Sequence, residues 1–307
     1  MFTARALGVA VALCSVPLTA HADALKAWAA ARANLPVDTA LVVGLDLAAL
    51  TKAPLFKMGF PVLVGQKPEL KATLEQLQTA CKIDPLTAID GFVVGTDKEQ
   101  KQGAAYIQFK GLDEAKIVTC LEAMFRSQGS KDAKITVTRD GAVTQLLQGK
   151  DSMYVTWFGA DVVAMALEPK NKAQLQAWTT GKKSLAKGTV GKLVAKVDTR
   201  AAFWIASSME QEVEKMKMKG GYGALALAKG TLAIDLHMML PSATDAKTVA
   251  DKATAELAVK TTGAGLAPAL KPVLQAVKVT SAGPEVIVRA SIPETDLLSI
   301  VGALMAQ

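Results

Sequence analysis

The sequence predicts an α+β fold made of two tandem repeats, each a largely antiparallel sheet with flanking helices. Two matches within the chain point to the repeats. Residues 154–169 and 278–293 align without a gap, 124 positions apart, and share six of sixteen residues. In the same order, 41–46 aligns with 193–198, and each is predicted to be a strand that ends in an aspartate. The predicted strands also come in pairs separated by helices, an order typical of α+β folds with antiparallel sheets.

Each predicted unit contains the same elements in the same order. Its first strand ends at Asp46 or Asp198. A pair of strands follows, with a tight hairpin turn expected at 228–231 in the second unit. Helices over about 113–126 and 243–259 come next. Two further strands and a closing helix complete each unit.

The chain is therefore predicted to have three parts: an export signal, residues 1–22, a first unit, residues 23–188, and a second unit, residues 189–307. The stretch 181–191 is rich in lysine and has a glycine at both ends. We interpret it as a short surface connection, so we expect the two units to pack against each other.

The first 22 residues have the pattern of a signal peptide. Arg5 precedes an apolar run, and Ala-His-Ala at 20–22 forms a cleavage motif. The run is shorter than the roughly 20 residues that a membrane-spanning helix needs. Cys14 follows Leu13, where a lipoprotein signal carries a small residue, so the pattern disfavours lipidation. We therefore expect a periplasmic or extracellular protein with no transmembrane segment in the mature chain.

The basic charge does not indicate nucleic-acid binding. The formal net charge is +7, but the lysines are dispersed along the chain. There are three tyrosines and four tryptophans on which bases could stack. A lysine-rich soluble surface explains this composition better than a nucleic-acid interface does. Weak attraction to anionic membranes stays open.

Two cysteines remain after the signal is removed, Cys81 and Cys120. An oxidising compartment favours a disulfide between them. Each lies on the apolar stripe of a predicted helix, residues 68–82 and 113–126, so both sulfurs are expected to face the interior. A bridge would close a loop of about 39 residues and stabilise the fold by roughly 4 kcal/mol in the chain-entropy model. Two separate buried thiols are the alternative.

Few residues are suited to catalysis. His237, the one histidine beyond the signal, lies between apolar strand residues, which favours a structural or exposed role. We predict no metal site and no cofactor, because one histidine and two paired cysteines leave no ordinary ligand set. Asp46 and Asp198 are more typical of helix caps than of a catalytic pair. Ser291 and Glu294 are spaced as a capping box for the last helix.

Two apolar segments, 54–64 and 203–219, follow the first strands of the two units. In the second, Met209, Val213 and Met216 are spaced as a helical stripe. Packing as core is the first interpretation. The alternative is a shared cleft between the units, because flexible methionine and aromatic side chains suit an adaptable apolar groove. The candidate binding residues are Phe56, Phe60, Leu63, Phe203, Trp204, Met209 and Met216.

These features favour a non-enzymatic exported binding or envelope protein. Its ligand or partner stays open among an apolar small molecule, a lipid and an envelope protein. The second hypothesis is a carrier that holds an apolar ligand or lipid in a cleft between the units. The third is a hydrolase that uses carboxylates alone.

Three segments carry a resemblance to known proteins: 35–50 (LPVDTALVVGLDLAAL), 81–95 (CKIDPLTAIDGFVVG) and 117–125 (IVTCLEAMF). Together they resemble uncharacterised exported two-repeat proteins of Gram-negative bacteria of the myxobacterial type. The resemblance implies an α+β fold in the cell envelope. It transfers no activity and no functional residue.

Overall fold

The computed structural model describes residues 25–127, 129, 133–180, 185–213, 216–228, 230–263 and 268–305, with the backbone alone at 213, 216 and 301–305. The predicted signal peptide, with Arg5 and Cys14, lies outside the described residues.

The helices of the described chain are α1 (Lys26–Asn34), α2 (Leu47–Leu50), α3 (Pro54–Gln66), α4 (Pro68–Cys81), α5 (Pro85–Ala88), α6 (Glu114–Ser127), α7 (Lys172–Thr179), α8 (Thr189–Val194), α9 (Ala243–Thr262), α10 (Lys271–Ala276) and α11 (Glu294–Met305), with short 3₁₀ turns at Leu185–Lys187 and Pro268–Leu270. The strands are β1 (Leu41–Asp46), β2 (Ile89–Thr96), β3 (Gly103–Phe109), β4 (Thr136–Asp140), β5 (Val143–Gln148), β6 (Asp151–Phe158), β7 (Val162–Ala166), β8 (Phe203–Ser207), β9 (Gln211–Val213), β10 (Met216–Met218), β11 (Gly221–Ala228), β12 (Thr231–Met239), β13 (Lys278–Ala282) and β14 (Glu285–Pro293).

In the described part of the chain, twelve strands form one antiparallel sheet, which confirms the predicted α+β class. The strand order is β13-β14-β12-β11-β8-β1-β2-β3-β7-β6-β5-β4, and β9 and β10 form a separate hairpin. The first strands of the two predicted units therefore pair in the centre, Leu41 opposite Ser207 and Leu45 opposite Phe203. From this centre the order outward is β2, β3, β7, β6 on one side and β11, β12, β14, β13 on the other. The division into two copied units stays a prediction.

The 124-residue match coincides with two β-hairpins, β6–β7 and β13–β14. The matched glycines, Gly159 and Gly283, both lie in the hairpin turns with positive φ, 69° and 55°. Glycine adopts this conformation without the steric cost that a Cβ atom brings. The turn geometry therefore explains why glycine occurs at both positions.

The predicted strand at 193–198 is wrong. Residues 189–194 form helix α8, and the strand that pairs with β1 begins ten residues later than expected, at Phe203. The buried residues Val190, Leu193 and Val194 recur at helical spacing and pack on the sheet. The expected surface connection at 181–191 is wrong for its described part, because Leu185 and Val190 are buried in the core; residues 181–184 lie outside the described residues.

The main core lies on one side of the central strands, which we call face A. Its members Val42, Val93, Tyr106 and Trp204 have no exposed surface, and α1, α7 and α8 contribute the apolar side chains that cover them. Trp28 on α1 meets Trp204 edge to face, with ring centroids 4.8 Å apart. Face A therefore holds the two central strands and their helices together.

The predicted disulfide is confirmed. Cys81 and Cys120 are bonded, with their Cα atoms 4.5 Å apart, and the bond joins the C-terminal end of α4 to the middle of α6. Asp113 caps α6, because its carboxylate accepts from the Lys116 backbone N–H at 2.9 Å. Both cysteines are half-buried rather than buried, so the bond fastens two surface helices to each other.

The last helix does not begin with the predicted capping box. Ser291 belongs to β14 and pairs with Ala233. The Glu294 carboxylate instead accepts the backbone N–H of Leu55 at 2.7 Å, at the start of α3. The prediction failed because the strand extends to Pro293, which keeps Ser291 in extended backbone.

Candidate functional site

The opposite side of the four central strands, face B, is apolar but incompletely covered. Side chains alternate between the two faces of a strand. Nine of the residues that alternate with the buried face A set are aliphatic or aromatic and half-buried; the other face B positions are Gly221 and Gly223 and, where β1 begins, the polar Thr96 and Ser207. The nine are Leu41, Val43, Leu45, Phe92, Val94, Phe203, Ile205, Leu225 and Leu227. We call this surface the trough.

Adjacent residues show the contrast between the two faces. Val42 and Val93 have no exposed surface on face A, whereas their neighbours Val43 and Val94 on face B keep part of theirs. The side chains are identical, so the difference lies in what covers them. A sheet enclosed by helices on both sides would bury both sets.

No described helix packs closely on the trough. The helices in closest contact with β1, β2, β8 and β11 are α1 and α8, on face A, and the short α2 and α5 at the strand ends. On one flank, α6 packs over β3, β7 and β6 through Val118, Leu121 and Phe125. On the other flank, α9 packs over β13 and β14 through Ala246 and Ala250. The trough is the unfilled strip between these two helices.

A chain of helix contacts links the two flanks. Helix α6 contacts α4, α4 contacts α3, α3 contacts α11, α11 contacts α10, and α10 contacts α9. The contact between Glu294 and Leu55 joins α3 to α11 near the β11–β12 turn, because the Glu294 N–H donates to the Gly230 carbonyl at 2.8 Å. These helices therefore bound the trough at the end where β1 finishes.

Helix α3 is unusually apolar for a helix with little burial. Lys57 is its one charged residue, and no side chain along its length is fully buried. Met58 and Leu63 are 42% and 48% exposed. Phe56 and Phe60 stack with ring centroids 4.9 Å apart. Helix α3 thus presents apolar surface that the described chain does not cover.

The structure distributes the seven predicted binding residues among several places. Phe56, Phe60 and Leu63 lie on α3, and Phe203 lies in the trough at the same end of the sheet. Trp204 is on face A, with no exposed surface, so it cannot line the trough.

The predicted helical stripe at 209–216 is wrong, because 211–213 and 216–218 form a hairpin. Met209 is buried beyond β8, where the Gln100 side chain contacts its sulfur at 3.6 Å. Met216 lies on β10, and its side chain is outside the described atoms. Beyond Phe203, the second apolar segment runs away from the first, because β1 and β8 are antiparallel and the chain leaves them at opposite ends of the sheet.

Apart from Phe203, the trough residues were missed by sequence analysis. The signal was present in runs such as 41–43 (LVV) and 92–94 (FVV), which are apolar at consecutive positions rather than alternating. Such runs indicate apolar side chains on both faces of a strand.

The two candidate carboxylates are engaged locally. Asp46 caps α2, as predicted, by accepting the Ala49 N–H at 2.7 Å; burial raises the pKa of this carboxyl. Asp198 caps no helix, contrary to expectation. It lies in the turn before β8 and binds the Arg200 guanidinium, which lowers the pKa of Asp198. The expectation failed because the helix precedes Asp198 instead of following it.

His237 lies on face A, opposite Tyr222, within a polar cluster. Its Nδ1 is 2.9 Å from a Glu285 carboxylate oxygen, and its ring stacks on Tyr222 at 4.4 Å. Tyr222 and Lys196 also donate to Glu285, each at 2.9 Å. Burial alone would raise the pKa of Glu285, but hydrogen bonds from Lys196, His237 and Tyr222 outweigh it and lower that pKa to about 2.

Within the described ranges, no three His, Cys, Asp or Glu side chains are grouped so that they could hold a metal ion. None of the helices in that part of the chain is both long and apolar enough to cross a membrane.

Comparison with known proteins gives structural likeness alone. No protein-family model matches the chain, and no curated protein matches it. Crystal form III of TP0453 is similar with a TM-score of 0.48 and 8% identity, over 89% of this chain and 97% of that chain. Crystal form I of the same protein gives a TM-score of 0.47 and 8% identity, over 93% and 98%.

Proposed function

We propose that this chain is a non-enzymatic binding protein of the cell envelope that holds an apolar chain, such as the acyl chain of a lipid, in the trough. One observation carries the proposal: the contrast in burial between face A and face B of the same four strands. Contiguous apolar surface left open to solvent marks a binding site more often than chance exposure does.

The shape of the trough favours a chain-like ligand. Its four strands are three inter-strand gaps wide, or about 14 Å at the usual spacing of about 4.8 Å. Helices α6 and α9 cover the sheet on both flanks of the trough, so the free surface is a strip rather than a flat patch. Each methylene group that the strip removes from water contributes about 0.8 kcal/mol.

The location of the trough agrees with the predicted organisation of the chain. Strands β1 and β2 belong to the proposed first unit, 23–188, and β8 and β11 belong to the second, 189–307. The ligand would therefore lie across the seam between the units. The disulfide supports the predicted exported location, because such bonds persist in oxidising compartments. No comparable observation favours a carboxylate-only hydrolase, since Asp46 and Asp198 are each held by local hydrogen bonds.

The test is the binding of a fluorescent long-chain fatty acid to the purified protein and to two variants. Ile205→Glu places a charge in the middle of the trough, and Ser291→Glu places the same charge on the exposed part of face A. Ile205→Glu should weaken binding at least about tenfold, since a carboxylate must be desolvated beside the ligand. Ser291→Glu should leave binding unchanged.

A third variant tests whether weaker binding by Ile205→Glu could come from misfolding. Ile205→Trp keeps the surface apolar but fills the trough, so it should also weaken binding while circular dichroism stays native. Equal affinity in all variants, or no binding by the native protein, would refute the proposal. Binding of an envelope protein without any lipid would favour the alternative partner.

A further inference from the structure

A cavity lies on face A, on the side of the sheet opposite the trough, between α1 and α8. It has a volume of about 400 Å³. Its apolar wall is formed by Trp28, Leu185 and Val194, all of which are buried residues of the main core. Arg32, one helical turn after Trp28, and Lys192 on α8 contribute the charged side chains. The cavity therefore joins an apolar wall to two cations.

These two cations are not neutralised within the described chain. Among the described residues, no aspartate or glutamate lines the cavity. Nearby Asp198 is bound to Arg200, and Glu285 is bound to Lys196. Among the described residues, neither Arg32 nor Lys192 forms an ion pair or has a hydrogen-bonded side-chain partner. An anion that entered here would meet two free donors and no competing carboxylate.

The cavity walls are fixed by close packing. A Cβ atom at Gly191 would lie 1.9 Å from the Leu185 carbonyl oxygen, so α8 and the preceding 3₁₀ turn approach as closely as glycine allows. Trp28 is held edge to face against Trp204. A preformed cavity loses little conformational freedom when a ligand binds.

We propose that this cavity binds a small amphipathic anion, with a carboxylate between Arg32 and Lys192 and a short aliphatic body against Trp28, Leu185 and Val194. Its volume is within the range of small-molecule sites, about 300–1,000 Å³. Arginine suits such a ligand because its planar fork matches a carboxylate. This site is separate from the trough, which lies on the other face of the sheet.

The test is calorimetric titration with octanoate, with octanol as the neutral control of equal chain length. The native protein should bind octanoate, and the double variant Arg32→Gln/Lys192→Gln should bind it at least about tenfold more weakly. Lys187→Gln removes a charge from an exposed residue that does not line the cavity, so it should bind as the native protein does. Higher salt should weaken octanoate binding.

The result separates this site from the trough. Octanoate bound at the cavity should be unaffected by Ile205→Glu, which alters face B. Equal octanoate affinity in the native protein and the double variant would overturn the cavity site. So would equal affinity for octanol and octanoate, or no binding of octanoate at millimolar concentration. None of these outcomes bears on long-chain binding in the trough.

Discussion

The indole ring of Trp204 occupies the space beside Gly44 that a side chain at residue 44 would need. The two residues are opposite each other on β8 and β1, and a Cβ atom at residue 44 would lie 2.1 Å from Trp204 Cε2. Glycine at this position therefore lets the largest buried side chain of face A lie flat against the central strand pair.

Gly44→Ala should lower the free energy of unfolding by about 1–3 kcal/mol or more, because overpacking displaces the indole or the strand. Urea unfolding at equilibrium measures this. Gly59→Ala in α3 is the matched control, since nothing lies within 4 Å of its Cβ position. Alanine there should raise stability by about 0.5–1 kcal/mol. If Gly44→Ala left the free energy of unfolding unchanged, Trp204 would have room to move aside.

Removing the disulfide by Cys81→Ser/Cys120→Ser should lower the free energy of unfolding by about 2–4 kcal/mol, because the bond closes a long loop in the unfolded chain. The native bond spans 39 residues. Urea unfolding of the double variant, compared with the oxidised native protein, gives the value. The reduced native protein is the control and should be as stable as the variant; a variant as stable as the oxidised protein would show that the bond does not stabilise the fold.

Glu285 should make the stability of the fold sensitive to acid. Its pKa is about 2 in the folded protein, below its ordinary value. The stabilisation is therefore fully present above the ordinary carboxyl pKa and is lost as the pH falls towards 2. Glu285→Gln should be less stable than the native protein at pH 7, and the gap should narrow between pH 5 and pH 3. The exposed Glu210→Gln is the control and should show a much smaller change. A gap that widens in acid would contradict the assignment.

Glu294→Ala should loosen α3, because it removes the acceptor of the Leu55 N–H. Losing a cap of this kind costs about 1 kcal/mol. Amide hydrogen exchange across Pro54–Gln66 should become faster, while exchange in α6 should not change. Thr295→Ala, an exposed neighbour, is the control. Unchanged exchange in α3 would mean that its contacts with α4 hold it without this hydrogen bond.

Features that depend on local spacing were predictable from the sequence. The Cys81–Cys120 bond, the Asp113 cap and the hairpin that pairs Ala228 with Thr231 all follow from short-range patterns. The hairpins of the 124-residue match follow too, since their glycines meet the same turn requirement. Predicting these features does not require knowing which helices pack on which strands.

Features that depend on tertiary contacts were not predictable. Leu193 and Val194 suit either a strand or the end of a short buried helix, and packing on face A selects the helix. The spacing of Met209 and Met216 fits a helix as well, yet this stretch forms a hairpin. Predicting the trough would have required knowing that α6 and α9 lie on its flanks. No single segment of the sequence encodes that arrangement.

The most direct test of the central claim is methyl NMR of the protein with a spin-labelled fatty acid. The spin label broadens methyl signals close to it. We expect strong broadening at Val43, Val94 and Ile205 on face B, and weaker broadening at Val42 and Val93, their neighbours on face A, because the effect falls steeply with distance. Broadening confined to face A, or none at all with excess fatty acid, would contradict the account of the trough as the ligand site.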